Sequence, residues 1–294
     1  MEEERVPLVL YLRDFANNIG KKVIDLIPGW NKVFGFVAID ASLEDLKEVI
    51  EALEALLEDD KCCENPAHKA AEIGALKLLQ IFLQEGLIDF NTTSGSNKET
   101  PLHLACENGR TEIVKLIILA SKEHGIDLNA KDELFGQTPF LLACYLGNTE
   151  IMKLFLDSSE EYGIDLSCSA KLKESAFHLA CHEGTTEPVE LLIHSSKKYK
   201  IDLNQPDYNG QTAFHKACCF GHYDDEIDIA KLMLKSAKEY GIDLNHQDHD
   251  GDYGFHDAIR YDNAELVKFM IENYNEFGLD ISKKNSDGRN GLDL

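Results

Sequence analysis

Three His-x-x-Cys pairs stand at His103/Cys106, His178/Cys181 and His215/Cys218, and Cys144 follows Leu141 at the same distance. Imidazole and thiolate are familiar zinc ligands, and such a column could also form a catalytic ladder. Residues three apart share one face of a helix. A structural zinc, however, needs four ligands converging on one point, and pairs that recur tens of residues apart offer two at each level. Cysteine at such positions behaves as a small buried apolar residue. A second candidate, "DHDGD" at Asp248–Asp252, resembles part of a calcium loop but lacks the ligand spacing and the bidentate glutamate, so a hairpin tip is expected there. No glycine-rich phosphate loop, nucleophile elbow or kinase motif is present in the sequence. The expectation is a non-enzymatic protein with no catalytic residue, no metal and no cofactor.

Charge narrows the partner. The 294 residues carry a formal net charge of −24. A surface so acidic repels phosphate backbones and anionic lipid, which excludes nucleic acid and membrane and leaves a protein with a basic or mixed surface. No apolar run approaches membrane-spanning length, and the start "MEEERVPLVLYLRDF" has an acidic front where a secretory leader needs a basic one. Adjacent cysteines at Cys62–Cys63 and Cys218–Cys219, with the rest inside helical patterns, read as reduced thiols of a cytoplasmic or nuclear monomer.

The elements that carry these residues recur. "TPLHLACENGRTEIVKLII" at 100–118 returns as "TPFLLACYLGNTEIMKLFL", "SAFHLACHEGTTEPVELLI" and "TAFHKACCFGHYDDEIDIAKLML". Anchored on Asn65, Thr100, Thr138, Ser175, Thr212, Tyr253 and Asn290, the copies are spaced 35, 38, 37, 37, 41 and 37 residues apart. Alanine stands five residues after every anchor up to Ala258, and glycine nine after, at Gly74, Gly109, Gly147, Gly184 and Gly221, with Asp262 in the sixth copy. The anchor hydroxyl suits a helix cap and the following proline the first turn. Glycine suits a left-handed helix stop, and aspartate is a tolerable substitute there. An apolar stripe such as Ile151–Leu154–Phe155 then marks a second helix. "NG" and "DG" mark a tight turn before the next copy. An Asp–apolar–Asn/Ser triplet, for example Asp89–Asn91, closes each copy.

"TPLHLACENG" with its second-helix stripe and closing "DLN" resembles the ankyrin repeat, over about residues 61–294. The resemblance implies an all-α solenoid of helix–turn–helix units with hairpin-like loops: six full repeats and a C-terminal partial repeat. The copies exceed the usual ~33 residues, with the surplus falling late in the second helix and, in the fifth copy, around "HYDDEID". It also favours histidine rings that position neighbouring loops over a ligand ladder. Residues 42–60 read as a capping helix, with Ser42 and Asp45 as a capping box, and residues 1–41 as a segment of uncertain fold. "SDGRNGLDL" begins a seventh unit and stops, so the array either ends on a half-repeat or continues in a longer protein; the exposed apolar end favours the latter.

The resemblance further implies partner contacts on the hairpin tips and the outer side of the first helices. The tips supply Phe135, Gln137, Tyr208, Asn209, His249, Asp250 and Asp252. The helices supply Tyr145, Leu146, His182, Glu183, Phe220, Arg260 and Tyr261, with Glu107 and Asn108 earlier. Leu83 followed by Asp89–Phe90–Asn91 resembles the pattern that asparaginyl hydroxylases recognise, making Asn91 a candidate for hydroxylation. The expected function is a protein-interaction adaptor or scaffold. The alternatives are a regulatory or targeting segment of a larger enzyme or channel, and an acidic inhibitor that masks a basic surface.

Overall fold

The computed structural model describes residues 66–84, 86, 88–182, 184–219 and 226–291. The expected capping helix at 42–60, the segment 1–41, Glu183, Phe220 and most of the insert in the fifth copy lie outside them. Two compact units, divided between Leu134 and Phe135, make up the chain.

Twelve α-helices occur among the described residues, arranged as six pairs, each a short helix followed by a second one. The first unit holds α1 (Pro66–Ile73), α2 (Leu76–Gln84), α3 (Pro101–Glu107) and α4 (Thr111–His124). The second holds α5 (Pro139–Tyr145), α6 (Thr149–Tyr162), α7 (Ala176–Ala180), α8 (Thr186–Tyr199), α9 (Ala213–Cys219), α10 (Glu226–Tyr240), α11 (Gly254–Arg260) and α12 (Ala264–Phe277). Within the second unit α5, α7, α9 and α11 pack in succession as one layer, and α6, α8, α10 and α12 as another. In the first unit α1 packs on α3 and α2 on α4. This is the all-α repeat architecture that the period implies.

Local chemistry explains each start and stop. Thr100 is extended and caps α3, and Pro101 occupies the first turn, where its missing N–H costs nothing. Thr138 caps α5 by accepting from the Leu141 N–H at 3.3 Å. The short helices end on a left-handed residue: Gly74, Gly109, Gly147 and Gly184 have positive φ, and Asp262, in the glycine's place, has φ 56°. The second helices α4, α6 and α12 stop on left-handed Gly125, Gly163 and Gly278, whereas α8 stops on Lys200 at φ 57°. The surplus length is where the spacing put it: α2 has 9 residues, α4, α6, α8 and α12 have 14, and α10 has 15. The buried stripes, such as Ile151, Met152, Phe155 and Leu156 of α6, fill the space between the layers. Buried Ser121, Ser159 and Ser196 in the added turns each donate back to a carbonyl three residues earlier, at 2.7–2.8 Å, so the extension buries no orphaned hydroxyl.

The loops are tied across repeats. Asn204 donates to the Gly241 carbonyl at 2.8 Å and accepts from the Asp243 N–H at 2.7 Å. Asn245 repeats this with Gly278 and Asp280, and Asn91 with Gly125 and Asp127. The hairpin tips of the second unit dock backbone to backbone: Lys171 N–H on the Phe135 carbonyl, Tyr208 on Leu172, and His249 on Asn209, at 2.8–3.0 Å. Tip glycines permit this approach. A Cβ on Gly210, whose φ is +79°, would stand 2.9 Å from the His249 nitrogen, whereas one on Gly163 at φ +70° would meet nothing within 4 Å.

Both positions demand left-handed backbone, so the pair separates strain from crowding. Gly163→Ala should cost about 1 kcal/mol from conformation alone. Gly210→Ala should cost a further ~1–3 kcal/mol from the forced shift of the neighbouring tip. Equal losses in chemical denaturation would show that tip docking contributes nothing.

Candidate functional site

A ridge of large apolar side chains stands on the tips of the second unit. Phe135 is 57% exposed, Leu172 61% and Tyr208 67%. Asn209, His249 and Asp250 continue it as exposed polar positions. On the first-helix side, the half-buried Tyr145 ring lies 4.5 Å from the exposed His182 ring, Leu146 is half-buried, and Tyr261 at the end of α11 is 45% exposed. Isolated exposed apolar residues are ordinary, but a row of them on successive docked tips makes this ridge the candidate site. Two expected members do not face solvent. Gln137 is buried at the base of its tip, and Asp252 is 1% exposed. Both are corrections to the strip. The carboxylate of Asp252 accepts from Asn285 at 2.9 Å and from Arg260, so it is spent on holding the next tip. Leu172 was missed from sequence because "KLKES" lacks the turn glycine that the second unit's other tips carry at Gly136, Gly210, Gly251 and Gly288. Asn91 is exposed, with its amide held at both ends of the clamp described above.

The histidine column binds repeats together. In His178 the Nδ1 accepts from the Ser175 N–H at 3.2 Å, while Nε2 lies 2.9 Å from the Gln211 carbonyl of the next repeat. An Nδ1 that accepts from an amide must be unprotonated, so Nε2 carries the hydrogen and donates it. His68 reaches the Glu99 carbonyl and His256 the Arg289 carbonyl in the same way. Burial holds His178 and His215 below the ordinary imidazole range. For His178 this is the neutral form that its two bonds require, whereas His215 accepts from the Thr212 N–H at 3.1 Å and its Nε2 has no hydrogen-bond partner among the described residues. Cys106, Cys144, Cys181 and Cys218 are buried beside them, and burial pushes the thiols of Cys106 and Cys181 far up. Neither residue type is presented to a ligand.

A family profile for ankyrin repeats in three copies matches residues 38–132, 119–199 and 142–248, more than half of the chain. The chain belongs to the ankyrin repeat family. The first match begins at residue 38 and so takes in the stretch read as a capping helix. Among curated proteins, human "Ankyrin repeat domain-containing protein 7" is 45% identical over 51 residues, a segment that is 17% of this chain and 20% of that protein. The ankyrin repeat domain of Bcl-3, described as a unique member of the IkappaB protein family, superposes with a TM-score of 0.63 and 25% identity. That match covers 78% of this chain and 92% of that one. The human ASB11 ankyrin repeat domain superposes with a TM-score of 0.58 and 26% identity, covering 79% and 91%. Ankyrin repeat domains are protein–protein interaction modules.

One cluster in this ankyrin repeat domain departs from the rest. Four residues after the anchor stand Lys69, Leu104, Leu142, Leu179, then Lys216 and Asp257. Lys216 pairs with Asp207 at 3.0 Å and with Glu174 at 3.9 Å. Arg260 pairs with Asp252 and stands 3.8 Å from Asp257. Burial, then the nearby Asp248 carboxylate, pushes Asp257 up to about 8, with Arg260 opposing and Asp252 adding to the rise. Burial also opposes ionisation of Asp252, but the hydrogen bonds from Asn285 and Arg260 hold its carboxyl below the usual range.

A carboxyl raised on folding binds its proton more tightly in the native state, so wild-type stability is present in full near pH 4 and lost as pH climbs to about 8. Asp257→Asn lacks that slope. The variant should match wild type near pH 4 and exceed it at pH 8 and above by about 1–3 kcal/mol. Parallel stability–pH curves in urea unfolding would refute the buried acid.

Proposed function

We propose that the chain is a non-enzymatic protein-interaction module, an adaptor or scaffold of the cytoplasm or nucleus, that holds a partner with a basic or mixed surface. The row of exposed Phe135, Leu172 and Tyr208 on successive docked tips carries this reading. Rigid aromatic rings supply contact area at little entropic cost and act as anchors, while a chain of net charge −24 selects against acidic partners and steers basic ones. His182, Asn209, His249 and Asp250 give the polar margin, and Tyr145 and Tyr261 extend the anchors along the first helices. The tips are suited to the task because the glycines and backbone bonds beneath them fix their spacing before a partner arrives, so binding orders little.

Capture from lysate on the intact chain tests this against a Phe135→Ala/Tyr208→Ala/Tyr261→Ala variant with unchanged circular dichroism. The triple variant should lose its partner, about tenfold for each 1.4 kcal/mol of anchor removed, and wild-type capture should weaken between low and physiological salt. Identical partner lists from the two proteins would reject the ridge.

A further inference from the structure

Asp257 is an anomaly at its own position. Leucine stands at the equivalent position of the second, third and fourth copies and lysine in the first and fifth, yet here a carboxyl is 1% exposed and its Oδ2 has no hydrogen-bond partner among the described residues. An acid left so is expensive to the fold, and a leucine would be cheaper. The local charges do not balance it. Asp207, Asp248, Asp252 and Asp257 are all at most 8% exposed, and the two cations among them are already engaged, Lys216 by Asp207 and Glu174, Arg260 by Asp252. Arg260 is the exception to the burial: its side chain is 48% exposed while it pairs with Asp252, so it stands on the solvent side of the acids. The cluster lacks metal-ligand geometry, as does every His, Cys, Asp and Glu group among the described residues, which points to an organic cation.

We propose that Asp257 is the counter-ion for a lysine or arginine side chain of a protein partner, which displaces Arg260 and seats on the face shared by α9 and α11. This rests on the interaction-module reading and names the chemistry that the module recognises at one point. The bare partner charge completes the pair that Arg260 reaches only at 3.8 Å. The carboxylic acid of Asp257 ionises as the cation arrives and its proton leaves to the buffer, so cation binding and proton release are coupled. Among the described residues Asp248, Asp252, Lys216 and Arg260 are the charged groups facing it, and none of them supplies the missing contact.

A hexa-arginine peptide is the probe, titrated at pH 7 in buffers of different ionisation enthalpy. Wild type should bind with a heat that varies between buffers. Asp257→Asn should bind about tenfold more weakly with a heat that does not vary, while Glu190→Gln, which removes an exposed charge from α8, should change affinity less than twofold. Asp257→Leu, giving the residue of the second to fourth copies, should melt higher than wild type yet bind as poorly as the asparagine variant; this separates lost binding from lost folding. No binding by wild type, equal weakening in Asp257→Asn and Glu190→Gln, or a buffer-independent heat in wild type would each overturn the proposal. If the ridge variant loses its captured partner while Asp257→Asn keeps both peptide and partner, the interaction module stands and the counter-ion falls.

Discussion

One neutral imidazole, bonded on both sides, links the fourth copy to the fifth. His178 takes a hydrogen from its own helix cap with one nitrogen and gives one to the next tip with the other. Protonation would turn the accepting nitrogen into a donor facing a donor. Burial prevents this by disfavouring the charged ring. The asparagine clamps at Asn91, Asn204 and Asn245 do the same work at the opposite end of their repeats, on the carbonyl left open by a helix stop. Between the two, apolar stripes close the layers. A single pair of helices has neither its outer hydrogen-bond partner nor its apolar cover, which is why the unit of folding here is the neighbour relation and not the repeat itself.

That scaffold leaves two kinds of surface with different physics. The tips are held by backbone bonds and carry rings outward, where contact area is the currency. The first-helix face of the last repeats holds charge in a poorly hydrated setting, where a single added cation has large leverage. The shift from leucine at 104, 142 and 179 to Lys216 and Asp257 converts one face of a common helix from packing to electrostatics without altering the helix.

The repeat was readable because its period forces the same residue types to the same backbone roles. Asp262 illustrates this: its place in the glycine column predicts a left-handed stop, and φ 56° is that stop. The added turn of the second helices was readable once the spacing was set against the pattern of the family that the repeats resemble. Exposure within the tips was not. Gln137 and Asp252 are polar and sit beside turn residues, which suits a surface, but the tip folds them under and its neighbour covers them. Asp257 was hidden for a different reason. It falls in a column whose other members vary between leucine and lysine, and only the packing shows that its carboxyl is enclosed and short of a partner.

The sulfur column has a consequence of its own. Cys106, Cys144, Cys181 and Cys218 are enclosed, and burial pushes the thiols of Cys106, Cys181 and Cys218 far up and that of half-buried Cys219 up to about 12. Attack on peroxide, on a disulfide or on a soft electrophile requires the thiolate. Sulfurs raised in this way are poor nucleophiles for as long as the helices around them stay packed.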